Sequence, residues 1–166
     1  MHRRLSALAI LCVGAGALAS WAGAAPNAPA VPTEARAQAR IFLQEIGGPD
    51  LLFLPTRLPT RYAYQSYSVT GTPLDLDLAF VDQQYTSNST KIREHEILFD
   101  VTYLGKAPCS RGSQGVMTAQ GMRLFHTRTK VWRCVASASG KQVKETATGN
   151  IGSTKLAVLV TSAKRG

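Results

Sequence analysis

The stretch Thr129-Lys130-Val131-Trp132-Arg133-Cys134 is where the fold is decided. It carries strand-favouring β-branched and aromatic residues. Outside residues 1–25 it also holds the only Trp and one of only two Cys, the other being Cys109 in a turn-rich segment upstream. Two cysteines in an exported chain favour one structural disulfide, Cys109 to Cys134; two separate buried thiols are the alternative. Downstream, Val131–Ser137 pairs with Met122–Thr127 as an expected hairpin. Ser139-Gly140-Lys141 then turns into Gln142–Thr148, a polar run that reads as an edge strand.

Export itself is read from the start of the chain. His2-Arg3-Arg4 is a short basic segment, Leu5–Trp21 is apolar, and Ala22-Gly23-Ala24 suits a small-residue cleavage rule. Residues 1–25 are therefore expected to be a signal peptide and to take Cys12 with them. Gly14, Gly16 and Ser20 interrupt the apolar run and no basic stop-transfer cluster follows it, so no membrane span is expected after cleavage. Residues 26–32, rich in Pro and Ala, read as a linker. Residues 33–166 are then a single domain.

Charge is divided unevenly. Residues 26–100 carry six Lys and Arg against nine Asp and Glu, whereas residues 101–166 carry eleven against Glu145 alone. The imbalance points to an anionic partner, or to a basic half that neutralises an acidic half inside one fold. An anionic envelope component or another envelope protein is expected ahead of nucleic acid.

Thr33 is placed to cap a helix whose apolar face is Ala35, Ala39, Phe42, Leu43 and Ile46, ended by Gly47-Gly48-Pro49. Leu51–Leu54 is a buried run, and Pro55 and Pro59 confine the segment they bound to an edge or a turn. Tyr62–Val69 is a strand ending at Gly71-Thr72-Pro73. The mixed parity of Tyr62, Tyr64 and Tyr67 favours sheet packing over a stacking platform for a ligand. Leu74, Leu76, Leu78 and Phe80 alternate with Asp75, Asp77 and Ala79, the signature of a half-buried strand. After a polar loop, Tyr85–Lys91, a second strand buries Ile97, Phe99, Val101 and Tyr103 and turns Glu94, Glu96 and Asp100 outward. A loop centred near Ser87-Asn88 sets Leu78 opposite Ile97, Leu76 opposite Phe99, Phe80 opposite His95 and Asp82 opposite Arg93, with Asp75 near Asp100. Gly105–Gly121 reads as a loop. Gly152-Ser153 opens a last helix with Leu156, Leu159, Val160 and Ala163 on one face.

The expected architecture is α+β: a curved antiparallel sheet of about five to six strands with an N-terminal and a C-terminal helix packed on it. Nucleophile-elbow, CxxC, phosphate-loop and dinucleotide patterns are all missing, so no catalytic residue and no cofactor is assigned. His95-Glu96 begins a zinc-protease motif, but Phe99 stands where the second His belongs, and no metal is assigned. His126 shares a face with Met122 and Leu124 and reads as a core-edge imidazole. Two candidate surfaces remain. Asp75, Asp77, Glu94, Glu96 and Asp100 form an outward acidic face that suits a cation such as Ca²⁺ or a basic partner. Arg123, Arg128, Lys130 and Arg133 form a group that suits an anion.

The pattern Leu54-Pro55-x-x-Leu58-Pro59-x-x-Tyr62, Trp132-Arg133-Cys134 and Leu156-Ala157-x-Leu159-Val160-x-Ser162-Ala163 resembles small secreted proteins of unknown function from high-GC, actinobacterial-type bacteria. More distantly it is similar to extracytoplasmic domains of unknown function associated with anti-sigma factors and envelope lipoproteins. The resemblance covers most of the chain beyond residue 25 and rests on structural motifs. It implies a curved antiparallel sheet with a terminal helix and a non-enzymatic role at the cell envelope, secreted or periplasmic. Three functions are carried forward: an exported binding or sensing module, a hydrolase or transferase using the acidic carboxylates, and a structural envelope protein pairing through the strand Gln142–Thr148.

Overall fold

Apolar–polar alternation at residues 75–80 and 96–101 gives the middle of the sheet one face to bury. The structure, a computed structural model, describes residues 30–45, 53–70, 75–86, 89–109 and 114–165. The expected signal segment 1–25, Gly47-Gly48-Pro49, Leu51-Leu52, Leu74 and Asn88 lie outside the described residues. The chain runs α1 (Thr33–Glu45), β1 (Phe53–Leu54), β2 (Tyr62–Thr70), β3 (Asp75–Asp82), α2 (Ser89–Ile92), a 3₁₀ turn (Arg93–His95), β4 (Glu96–Gly105), β5 (Gly115–Ala119), β6 (Met122–His126), β7 (Lys130–Ala136), β8 (Gln142–Thr148), α3 (Ser153–Ser162) and β9 (Lys164–Arg165). The α+β class and the antiparallel sheet are as expected.

Seven strands form the main sheet, in the order β2-β3-β4-β8-β7-β6-β5, and every neighbouring pair is antiparallel. The strand beyond the expected five to six is β5, within the segment Gly105–Gly121 that reads as a loop. Its short run Gly115-Val116-Met117-Thr118-Ala119 pairs only with β6. β1 and β9 make a separate two-stranded pair. The β4–β5 connection crosses from the middle of the sheet to its far edge. Within it Cys109 is held to the face of Trp132, because it is disulfide-bonded to Cys134 and Cys134 lies two residues along the strand from Trp132.

The other face is the core side. Leu76, Leu78 and Phe80 of β3, Ile97, Phe99 and Val101 of β4, Leu124, Val131, Val143 and Ala147 are all buried there. Ala35, Ala39 and Phe42 of α1 join the same cluster, as do Leu156, Leu159 and Val160 of α3. Each large apolar side chain buried in this way contributes about 1.5–3 kcal/mol. Gly152, with a φ of +87°, opens α3 in a conformation that a side chain would strain. Among the described residues, no helix is long and apolar enough to cross a membrane.

Four expectations need correction. Gln142–Thr148 is not an edge: β8 is bonded on both sides, to β4 and β7. Its one acidic residue, Glu145, faces the core with no exposure and accepts from Arg133 of β7. The edges are β2 and β5, so pairing through Gln142–Thr148 is excluded. The acidic hairpin keeps its faces but shifts by two residues: Leu78 faces Phe99, Phe80 faces Ile97, and Asp77 rather than Asp75 faces Asp100. The cause is α2 and the 3₁₀ turn, which wind Lys91–His95 out of the ladder and delay β4 until Glu96. The expected linker 26–32 ends early, since Ala30 and Val31 are buried and Val31 belongs to the core. Finally, Thr33 is inside α1; the backbone N–H of Arg36 donates to the carbonyl of Pro32 at 3.0 Å.

Candidate functional site

Three connections meet where β2 begins, β3 ends and β8 runs into α3. The turn before β2 closes with the N–H of Tyr62 donating to the Pro59 carbonyl at 3.1 Å. That turn leaves Arg61 with a φ of +74°, a conformation that costs a non-glycine residue on the order of 1 kcal/mol. The neighbouring chain holds it there: Gln83 N–H donates to the Arg61 carbonyl at 2.9 Å, and the Arg61 guanidinium donates to Asp82 Oδ2 at 2.9 Å. Asp82 is only 2% exposed. Its second carboxylate oxygen accepts from Gln84 N–H at 3.1 Å.

Pro59, Arg61, Tyr62 and Asp82 line a cleft of about 700 Å³ together with His95, Asn150, Ile151, Lys155 and Val158. His95 belongs to the 3₁₀ turn and stacks on Tyr85, ring centres 3.7 Å apart and planes within 5°. Burial, and then the negative charge of Asp82, push the Tyr62 hydroxyl above its ordinary value and keep it a proton donor. Lys155 stands in the first turn of α3 and has no carboxylate partner among the described residues. The one carboxylate in the wall is already neutralised by Arg61, so the ammonium of Lys155 is left in excess. With Asn150 and the tyrosine hydroxyl as neutral donors, the cleft suits an anion.

A second cavity of about 330 Å³ lies against Arg128, Thr129 and Asn150. Asn150 therefore lines both. The two segments are tied together by the Gly149 N–H, which donates to the Thr129 carbonyl at 2.9 Å. Gly149 has to be small at this point, since a Cβ there would stand 3.1 Å from the Glu96 carbonyl oxygen.

The acidic residues singled out by the sequence separate into two groups. Asp77 and Asp100 are direct cross-strand partners and Asp75 lies opposite Thr102, two residues further along the ladder. Burial, then Asp77 and Asp75, push Asp100 up to about 6, opposed by the Thr102 hydroxyl and Lys130. Burial also raises Asp77, against a hydrogen bond donated by Ser68 at 3.3 Å. Glu94 sits in the 3₁₀ turn and Glu96 lies opposite Val81, away from that trio. Among the described residues no three His, Cys, Asp or Glu side chains come together as a metal-ligand set.

The four basic residues do not form one site either. Arg123 lies over the Phe125 ring at 5.9 Å. Lys130 is on the face of Trp132, near enough to Asp100 to affect its ionisation. Arg133 points to the core: it donates to Glu145 Oε2 at 2.7 Å, to the Ala163 carbonyl at 3.3 Å and lies 5.3 Å from the Phe53 ring centre. Of the four, Arg128 is the one that lines a cavity described above.

No protein-family model, curated protein or solved structure matches the chain. The site therefore stands on its own geometry. Arg61, His95, Asn150 and Lys155 were not singled out by the sequence as a binding group, because they come from separate connections. Only the turn chemistry of Pro59-Thr60-Arg61 and Asn150-Ile151-Gly152 marks those connections as places where backbone converges.

Proposed function

We propose that this chain is an exported binding module of the cell envelope that holds a small anionic ligand in the cleft between Arg61 and Lys155, without transforming it. The observation that carries this reading is the charge balance of the cleft. Its one carboxylate is buried and neutralised by Arg61, while Lys155 has no carboxylate partner among the described residues. The Cys109–Cys134 bridge supports export, since such bonds persist in oxidising compartments. The sequence resemblance to extracytoplasmic domains agrees with the same setting, and the natural ligand is then an anionic envelope component or an anionic group on an envelope protein.

The test is calorimetric titration of the purified protein with inorganic phosphate at low ionic strength. Binding should weaken with added salt and fall at least tenfold in Lys155→Ala, with an unchanged melting curve. Binding that is indifferent to Lys155 sinks the proposal. A hydrolase or transferase built on the carboxylates is the second reading, favoured by the opposed pair Asp77 and Asp100 and the raised value of Asp100. It would require a measurable turnover that Asp100→Asn abolishes while phosphate binding persists.

A further inference from the structure

The two cavities that meet at Asn150 point beyond a single small anion. We infer that the ligand is an extended oligoanion of the polyphosphate type, with one charged group held by Lys155 and a later one along the chain reaching Arg128. This rests on the proposed reading of the main cleft and adds to it the second lobe. The main cleft of about 700 Å³ is far larger than one phosphate, whose volume is on the order of 100 Å³ or less at the packing density of condensed matter. The second cavity adds about 330 Å³ against Arg128 and Thr129, and it shares Asn150 with the first. Arg128 has no carboxylate partner among the described residues. The hydrogen bond between Gly149 and Thr129 fixes the β6–β7 turn against the chain that leads to Asn150, so the two lobes are held as one surface. A chain of linked anions with repeated charge can place successive groups along such a surface. Asn150 can donate its amide N–H to an oxygen of the chain between them. Arg128 suits a phosphoryl group in particular, because its planar fork of donors matches two oxygens at once.

The experiment compares inorganic orthophosphate with inorganic tripolyphosphate on the full protein, disulfide intact, by calorimetry at fixed ionic strength. Tripolyphosphate is expected to bind at least tenfold more tightly. Arg128→Ala should remove most of that advantage and leave orthophosphate affinity within twofold, whereas Lys155→Ala should weaken both. Arg123→Ala removes the same charge from a strand position outside both lobes and controls for general attraction between a basic protein and a polyanion. If Arg123→Ala weakens tripolyphosphate as much as Arg128→Ala does, the two-lobed site is overturned. It is also overturned if the two ions bind equally well. If neither ion binds, the cleft reading fails with it. Orthophosphate binding that depends on Lys155, with no effect of Arg128, leaves the cleft and removes only the second lobe.

Discussion

Glu145 offers the sharpest test of how the core is put together. Its carboxylate has no exposure, one oxygen accepts from Arg133 Nε at 2.7 Å, and the other, Oε1, is buried without a partner. Burial is the dominant influence and outweighs Arg133, pushing the group from 4.5 up to about 7. Below about pH 4.5 the carboxyl is protonated in both folded and unfolded chains. Between pH 4.5 and 7 the folded chain keeps a proton that the unfolded chain releases, so stability falls as pH rises and levels off above 7. The full difference is about 3 kcal/mol at 1.36 kcal/mol per tenfold change in proton affinity.

Glu145→Gln tests this because the amide keeps the shape, can still accept from Arg133, and does not titrate. Urea denaturation at constant ionic strength, followed by Trp132 fluorescence from pH 4 to 8.5, gives the stability difference between the two proteins. The variant should match the wild type near pH 4.5 and exceed it by up to about 3 kcal/mol at pH 8. Asp100, also raised, titrates in both proteins and cancels in the subtraction. The opposite slope would refute the reasoning: a Gln variant that loses ground as pH rises would mean the ion pair with Arg133 outweighs burial and holds the carboxylate charged.

Two further outcomes are expected. Replacing Cys109 and Cys134 together by Ser opens a bridge between residues 25 apart and should lower stability by about 3–3.5 kcal/mol in the chain-entropy account, so an unchanged urea midpoint would contradict it. Thr146→Pro, inside a strand bonded on both sides, should prevent folding, while Gln65→Pro, at the bulge of edge strand β2, should leave a native circular dichroism spectrum; equal damage by both would reverse the assignment of edge and centre.

Much of the sheet could be read before its geometry was known, because burial on one face writes a period of two into the sequence. Leu76, Leu78 and Phe80 against Ile97, Phe99 and Val101 is the plainest case, and the disulfide and α3 were equally legible. Three things hid the remainder. The bulge at Gln65 restores Tyr62, Tyr64 and Tyr67 to a single face, opposite Asp82, Phe80 and Leu78, although their numbering has mixed parity. Tyr64 then meets Phe80 edge to face at 6.1 Å. A one-residue insertion reverses the face of everything beyond it, and residue spacing alone gives no sign of where it falls. In β8 the inward positions alternate Val143, Glu145 and Ala147, so an acidic residue interrupts the apolar rhythm, and it is buried against its cross-strand partner Arg133. A pair of opposite charges on adjacent central strands thus looks, in each strand separately, like a solvent-facing edge. The cleft was hidden for a related reason. Its cationic character depends on which arginine is already engaged by Asp82 and which lysine is not so engaged, and that balance exists only after β2, β3 and α3 have come together.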